Sequence, residues 1–210
     1  VPNFTSQVQA FFQTAKAERR PEPAPGQAPE LRNIAFVCTG NVCRSAFAHH
    51  ALEIELLRRS GTTQPFHVAS AGLGALVGSP MEPQMAAEFR RRFGRVPAHR
   101  AQQIDEAFVA GAGLLLVMTR DQRHGVLHQY PQSAQRCFLF SEFLAILESA
   151  PVSEPLEFSK LVSYAHSHRM MARGNFPDIE DPYRRSPETH QRVAEQLTVA
   201  VRTLADRLTR

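Results

Sequence analysis

The stretch Ile34-Ala35-Phe36-Val37-Cys38-Thr39-Gly40-Asn41-Val42-Cys43-Arg44-Ser45 begins with a short apolar run and ends where a helical segment, Ser45 to Arg59, begins. An apolar run this short, without polar alternation, predicts a strand covered on both faces. A loop that runs from such a strand into a helix N-terminus turns successive N–H groups inward. The result is a nest for a tetrahedral anion, reinforced by the helix dipole. Gly40 lets the chain pass close to a ligand, and Asn41 tolerates a left-handed backbone better than most residues. Arg44 adds a planar fork that grips two anion oxygens. The same positive field favours the thiolate of Cys38, which makes it a candidate nucleophile, and Ser45 can donate its hydroxyl to that sulfur. A cysteine alone at the end of a strand is as often a small core residue. The joint spacing of cysteine, glycine, asparagine, arginine and serine is far more restrictive.

Outward from this loop the pattern alternates. Phe66 to Ser70, Leu114 to Met118 and Arg136 to Phe140 read as strands. Pro83 to Arg92, Glu142 to Leu147 and Glu188 to Leu208 read as helices, the last with Val193, Leu197, Val201, Leu204 and Leu208 on one face. Strands separated by helices need crossover connections. The expected fold is therefore α/β, a four-stranded parallel sheet between helical layers with right-handed crossovers. In such sheets ligands sit beyond the carboxyl ends of the strands, where the loop after Val37 lies.

Ahead of this domain, residues 3–18 carry Phe4, Val8, Phe11, Phe12 and Ala15 on one side of a helix. Four prolines between Arg20 and Pro29 then favour an extended linker, so the domain is expected over residues 31–210 after a 1–30 appendage. The apolar face of that helix needs cover, from its own domain, a second copy in a homodimer, or an adaptor partner. At 210 residues and 43% hydrophobic content the chain can bury one sizeable core. No apolar run is long enough to span a membrane and no secretory leader is visible, so no membrane insertion is expected. Three cysteines make a disulfide scaffold unsuitable and point to a reducing compartment, the cytoplasm. The net charge of +4 and pI near 9.3 favour anionic partners. Yet Arg58-Arg59 and Arg90-Arg91-Arg92 stand among acidic residues and read as solvated helix faces. No interleaving of basic and aromatic residues supports nucleic-acid binding. His124 and His128 could share a helix face, whereas His166 and His168, two apart, cannot; neither pair is joined by carboxylates or thiols, and no metal is expected.

The loop resembles that of the low-molecular-weight protein-tyrosine phosphatases almost residue for residue. Ser70-Ala-Gly72, His99-Arg100 and Asp181-Pro-Tyr183 resemble later landmarks of that family, in family order. The resemblance implies a phosphatase that needs no cofactor, with Cys38 as nucleophile and Arg44 as phosphate clamp. It implies phosphate contacts from Thr39, Gly40, Asn41, Val42, Cys43 and Ser45. A phosphotyrosine-containing protein would be the substrate, with Tyr183 as one wall of the cleft. Composition alone cannot choose among Asp178, Glu180 and Asp181 as the acid; position beside Pro182 and Tyr183 in the family motif picks Asp181. The resemblance also assigns Ser70 and His99 to steadying Asn41, and allows Cys43 to form a reversible disulfide with Cys38. Cys137 reads as core.

Departures from the family pattern are Ala46 where proline is usual, His49 where glutamate is common, and Arg184 where many members have a second aromatic. Arginine phosphatases resemble the loop too, but carry threonine where this chain has Val42. Arsenate reductases share its opening but need two further redox cysteines, and only Cys137 follows the loop. A binding module without turnover is the non-enzymatic alternative.

Overall fold

The apolar run after Arg32 forms β1 (Asn33–Cys38), which lies inside its sheet rather than at an edge. The computed structural model describes residues 32–60, 66–150, 157–169 and 176–209. The expected helix over 3–18, its proline-rich linker and any dimer built on them lie outside the described residues. β2 (His67–Gly72) pairs with one side of β1 and β3 (Leu114–Val117) with the other. β4 (Cys137–Leu139) pairs with β3, giving the order β2-β1-β3-β4 with every pairing parallel. The helices are α1 (Arg44–Ser60), α2 (Pro83–Phe93), α3 (Glu106–Gly111), α4 (Arg120–Gln129), α5 (Phe140–Ser149), α6 (Phe158–His168) and α7 (Pro187–Leu208).

Strand side chains alternate between two faces, and both are buried. Ile34, Phe36, Leu114, Leu116 and Phe138 pack against residues from α1, α2, α5, α6 and α7, among them Phe47, Met85, Phe143, Leu161 and Leu197. Ala35, Val37, Leu115, Val117, Cys137 and Leu139 face Val109 of α3 and Val126 of α4. The fold is thus a three-layer α/β sandwich. Each fully buried Phe or Leu contributes about 1.5–3 kcal/mol, so the continuous apolar strands are where stability concentrates.

Within the described residues the expected strands and helices form, with small boundary differences; the last strand is shorter than Arg136 to Phe140 because Phe140 already starts α5. Helices α3, α4 and α6 were not anticipated. α4 buries only Gln122 and Val126 and so has almost no apolar period. Its start is fixed by Thr119, whose hydroxyl accepts from Gln122 N–H at 3.2 Å. α6 buries Phe158, Leu161, Val162 and Ala165, a helical spacing that was legible.

The arginine runs lie mostly on solvated faces, as expected, with Arg92 half-buried, and several of them also make ion pairs. Arg58 and Arg59 pair with Glu55 at 3.0 and 2.6 Å, and Arg202 of α7 joins the same carboxylate at 3.2 Å. Arg92 pairs with Glu88 on its own helix and with Glu195 of α7 at 3.1 Å. These contacts fasten α1 and α2 to α7, while Arg58, Arg59, Arg90 and Arg91 remain exposed.

Candidate active site

At the carboxyl end of β1 the chain turns through residues 39–43 before α1 begins. The carbonyls of this turn point away from its centre, and each has a partner. Leu73, Gly74 and Leu76 N–H groups donate to the oxygens of Cys38, Thr39 and Gly40 at 3.0 Å each, and Glu82 N–H to Val42 O at 2.9 Å. Because a trans peptide sets its N–H opposite its C=O, the loop's amides face inward. They line a cradle with the positive end of α1 beneath it. The strand β2 closes the outer side, and here glycine is obligatory. A Cβ on Gly72 would come within 2.4 Å of Thr39 O, whereas one on Gly40 would meet only ordinary contacts at 3.6 and 3.9 Å.

Asn41 holds this shape. It is fully buried and takes the left-handed conformation anticipated for it, with φ of 54°. Its side-chain amide donates to Ser45 Oγ and Ser70 Oγ at 2.9 Å each and accepts from Gln102 N–H at 2.9 Å. Its main-chain oxygen accepts from His99 Nε2 at 2.7 Å. Ser70 and His99 thus both lie against Asn41. Behind His99 stand groups that the sequence did not flag. His50 Nε2 faces His99 Nδ1 at 3.2 Å, and His50 Nδ1 meets the Glu53 carboxylate at 2.9 Å. Burial, with His49 beside it, pushes His50 down to about 4. Burial also lowers His99. For Glu53 burial acts upward, but His49 and His50 outweigh it and hold the carboxyl down to about 2.

Cys38 is buried at the cradle floor, with Sγ 2.9 Å from Ser45 Oγ. Thr39 Oγ1 accepts from Gln122 Nε2 at 3.1 Å, and Gln122 in turn holds Met118 N–H, so α4 braces the loop from the other face of the sheet. Arg44 lies almost wholly inside, donating through Nη1 to Ile179 O at 3.0 Å and through Nη2 to Asp181 Oδ2 at 2.7 Å. Its Nε is buried and has no acceptor among the described residues. Of the three acids in the 176–183 tract, Asp178 is engaged by Arg120 and Glu180 by Arg192. Only Asp181 reaches the cradle. Its other oxygen accepts from Tyr183 N–H at 3.2 Å, which shapes the turn through Pro182.

Cys38, Val42, Arg44, Leu76, Asp181 and Tyr183 share a cleft of about 160 Å³. A larger hollow of about 350 Å³ lies among Arg120, Arg123, His124 and Glu142 and contains no cradle residue, so the chemistry selects the smaller. The model of the low molecular weight phosphotyrosine protein phosphatase family matches residues 33–171. The chain belongs to that family. A phosphatase of this family from Ralstonia nicotianae, described as the probable low molecular weight protein-tyrosine-phosphatase EpsP, is 31% identical over 69% of this chain and 91% of its own length. A protein-arginine-phosphatase from Geobacillus stearothermophilus is 25% identical over 83% of this chain and 95% of its own. Among solved structures, the low molecular weight protein tyrosine phosphatase from T. tengcongensis superposes with a TM-score of 0.63 at 26% identity, covering 84% of this chain and 99% of that one.

As a phosphatase of this family the chain is a phosphoric-monoester hydrolase, and the remaining cysteines take distinct places. Cys43 lies buried beside the cradle, where burial and then Glu82 and Cys38 push its thiol well up. Cys137 sits inside the core with its thiol pushed up to about 11 by burial. Arg184, the departure from the family's second aromatic, has φ of 58° and lays its guanidinium over the Tyr183 ring at 5.1 Å. None of the described helices is long and apolar enough to cross a membrane.

Proposed function

We propose that the chain hydrolyses phosphotyrosine on protein substrates through a phosphocysteine on Cys38. The observation that carries this reading is one cleft lined by Cys38, Arg44, Asp181 and the aromatic Tyr183. Cys38 Sγ attacks phosphorus and the bond to the phenol oxygen breaks, with Asp181 giving that oxygen its proton. The Asp181 carboxylate then takes a proton from water, whose oxygen attacks phosphorus. The S–P bond breaks, phosphate leaves and the thiolate is restored. Ser45 Oγ, 2.9 Å from Sγ, supports both the thiolate and its return as leaving group. The loose transition state spreads charge over three equatorial oxygens, which the inward amides and the Arg44 fork are arranged to receive. A bound phosphate also gives Arg44 Nε an acceptor and draws the fork from Asp181, freeing that carboxyl to face the leaving group.

Apolar walls at Val42 and Leu76, with the Tyr183 ring, suit a planar aromatic ester better than a guanidinium. The three cysteines are all free, which suits the cytoplasm. Turnover of matched peptides carrying phosphotyrosine, phosphoarginine or phosphoserine tests the reading. Phosphotyrosine is expected to lead phosphoarginine in kcat/KM by at least ~10-fold, about 1.4 kcal/mol of discrimination, with phosphoserine last. Equal or faster turnover of phosphoarginine would assign the chain to the arginine-directed branch instead.

A further inference from the structure

The contacts from Glu53 through His50 and His99 to Asn41 form a line of three hydrogen bonds between two acceptors. At one end is a carboxylate, 2.9 Å from His50 Nδ1, and at the other a main-chain carbonyl, 2.7 Å from His99 Nε2. Two neutral imidazoles supply two protons, and the outer contacts use both. The two nitrogens that face each other at 3.2 Å, His50 Nε2 and His99 Nδ1, can therefore close only around one further proton or a metal ion. Something positive has to lie between them.

The arrangement around those lone pairs is that of histidines already oriented as ligands. Histidines that bind zinc characteristically donate their other N–H to a carboxylate or a backbone carbonyl, which fixes tautomer and ring direction. His50 does the first and His99 the second. With metal–nitrogen distances near 2.0–2.1 Å, two nitrogens 3.2 Å apart subtend about 103° at the ion, close to tetrahedral. A third imidazole is at hand: a ring nitrogen of His49 lies within 4.8 Å of the other two. The His49 ring stacks on that of His50 at 4.1 Å between centroids and its Nδ1 lies 3.1 Å from Ser70 Oγ, so it turns off that stack to bring a nitrogen to the about 3.3 Å spacing that tetrahedral coordination needs. Glu53 Oε1 lies 3.4 Å from His49 Nε2, so one carboxylate serves two of the rings. His49 is 16% exposed while His50 and His99 are buried, which gives the ion an entrance on the His49 side.

We propose that His49, His50 and His99 form a site for one divalent transition-metal ion of the zinc class, set behind the phosphate loop and separate from the chemistry on Cys38. Three nitrogen donors and no thiolate favour zinc or its neighbours over calcium or magnesium. Because His99 also holds the Asn41 carbonyl, an ion here pulls on the residue that sets the loop's curvature. Metal loading therefore changes turnover without touching substrate.

The test uses the full chain carrying Cys38→Ser, so that the nucleophilic sulfur cannot take the metal. Zinc is titrated by calorimetry, and cobalt(II) substitution is followed in the visible spectrum. One ion per chain is expected, with cobalt bands of a tetrahedral nitrogen site and no sulfur charge-transfer band. His50→Gln should weaken zinc by more than ~100-fold, and Glu53→Gln, which leaves all three ligands in place, by about 10- to 100-fold. His124→Gln, in the exposed pair with His128, should change nothing. Unfolding curves of each variant separate loss of the site from loss of the fold, and the Glu53 variant carries the test if His50→Gln unfolds. Zinc affinity unchanged in a folded Glu53→Gln or His50→Gln chain overturns the site. So does a sulfur charge-transfer band, or imidazole nitrogen resonances showing a shared N–H···N proton that excess zinc leaves in place.

Discussion

The loop that follows β1 and the acidic loop that precedes α7 meet in one cleft, yet they are built on opposite terms. In the first, Asn41, Arg44 and Ser45 are buried, and the carbonyls from Cys38 to Val42 each have a fixed partner. In the second, Asp181 is 49% exposed and is held by Arg44 and by its own turn. The cradle has to be rigid because it meets charge that develops on phosphorus, where preorganised dipoles act without reorganising. The acid has to leave Arg44 when phosphate arrives, and a half-exposed loop can make that move. Rigidity belongs to the anion site and freedom to the proton donor.

Removing the reacting group from each loop should expose this difference most strongly. Cys38→Ser is expected to lower kcat by about 10⁴-fold or more on every substrate, since no covalent intermediate forms. Asp181→Asn should cost about 10²- to 10⁴-fold on a phosphotyrosyl peptide. On p-nitrophenyl phosphate, whose leaving oxygen needs little protonation, its cost should be far smaller. Steady-state kinetics on the two substrates check the pair. An equal loss for Asp181→Asn on both would mean that Asp181 acts through Arg44 rather than as the acid.

Two glycines sharpen the cradle side. Gly72→Ala forces a Cβ to 2.4 Å from Thr39 O, a main-chain atom that cannot rotate aside. The expected outcome is a loss of about 2–3 kcal/mol in stability, with weakened phosphate binding. Gly40→Ala meets only relaxed contacts within the protein. It should stay within about 0.5 kcal/mol of the parent while losing affinity for inorganic phosphate. Thermal unfolding and phosphate inhibition, measured on both variants, separate a glycine needed by the fold from one needed by the ligand.

The same contrast governs what the sequence discloses. The cradle is local: strand, glycine, asparagine, arginine and helix start are contiguous, so their order alone implies an anion site. Asp181 is remote in sequence from Cys38, and its two acidic neighbours differ from it only in which arginine they meet. That choice is tertiary, and only the family motif pointed to it in advance. The His49, His50, His99 cluster was illegible for a related reason. His49 and His50 stack on one another within α1, but it takes the loop carrying His99, folded back onto α1, to bring a third ring to them. Helix α4 has little apolar period to read, and Gln122, which it contributes under Thr39, looks like any surface glutamine until both its amide atoms are seen engaged.

A charge cluster remote from both loops completes the comparison with the smallest expected effect on turnover. Glu55 is buried between α1 and α7 and is reached by Arg58, Arg59 and Arg202. Burial alone would raise its pKa, but the arginines outweigh it and hold the carboxyl below its ordinary range. A carboxyl depressed in the folded state stabilises the protein at pH values above its unfolded value, and that contribution disappears as the pH falls through the folded one. Glu55→Gln should therefore cost about 1–3 kcal/mol at pH 7, between the values of exposed and buried pairs, with kcat unchanged. The difference from the parent should shrink below about pH 4, where Glu55 of the unfolded chain begins to take up its proton while the folded carboxyl still resists it. Urea unfolding at pH 7 and pH 3.5 measures both ends. A gap that stays constant over that range would mean that Glu55 acts by packing and hydrogen bonding rather than by charge. A fall in kcat would mean instead that the α1–α7 contact reaches the cradle through the first turn of α1, and the rigidity assigned to the loop would then be a property of the whole helix.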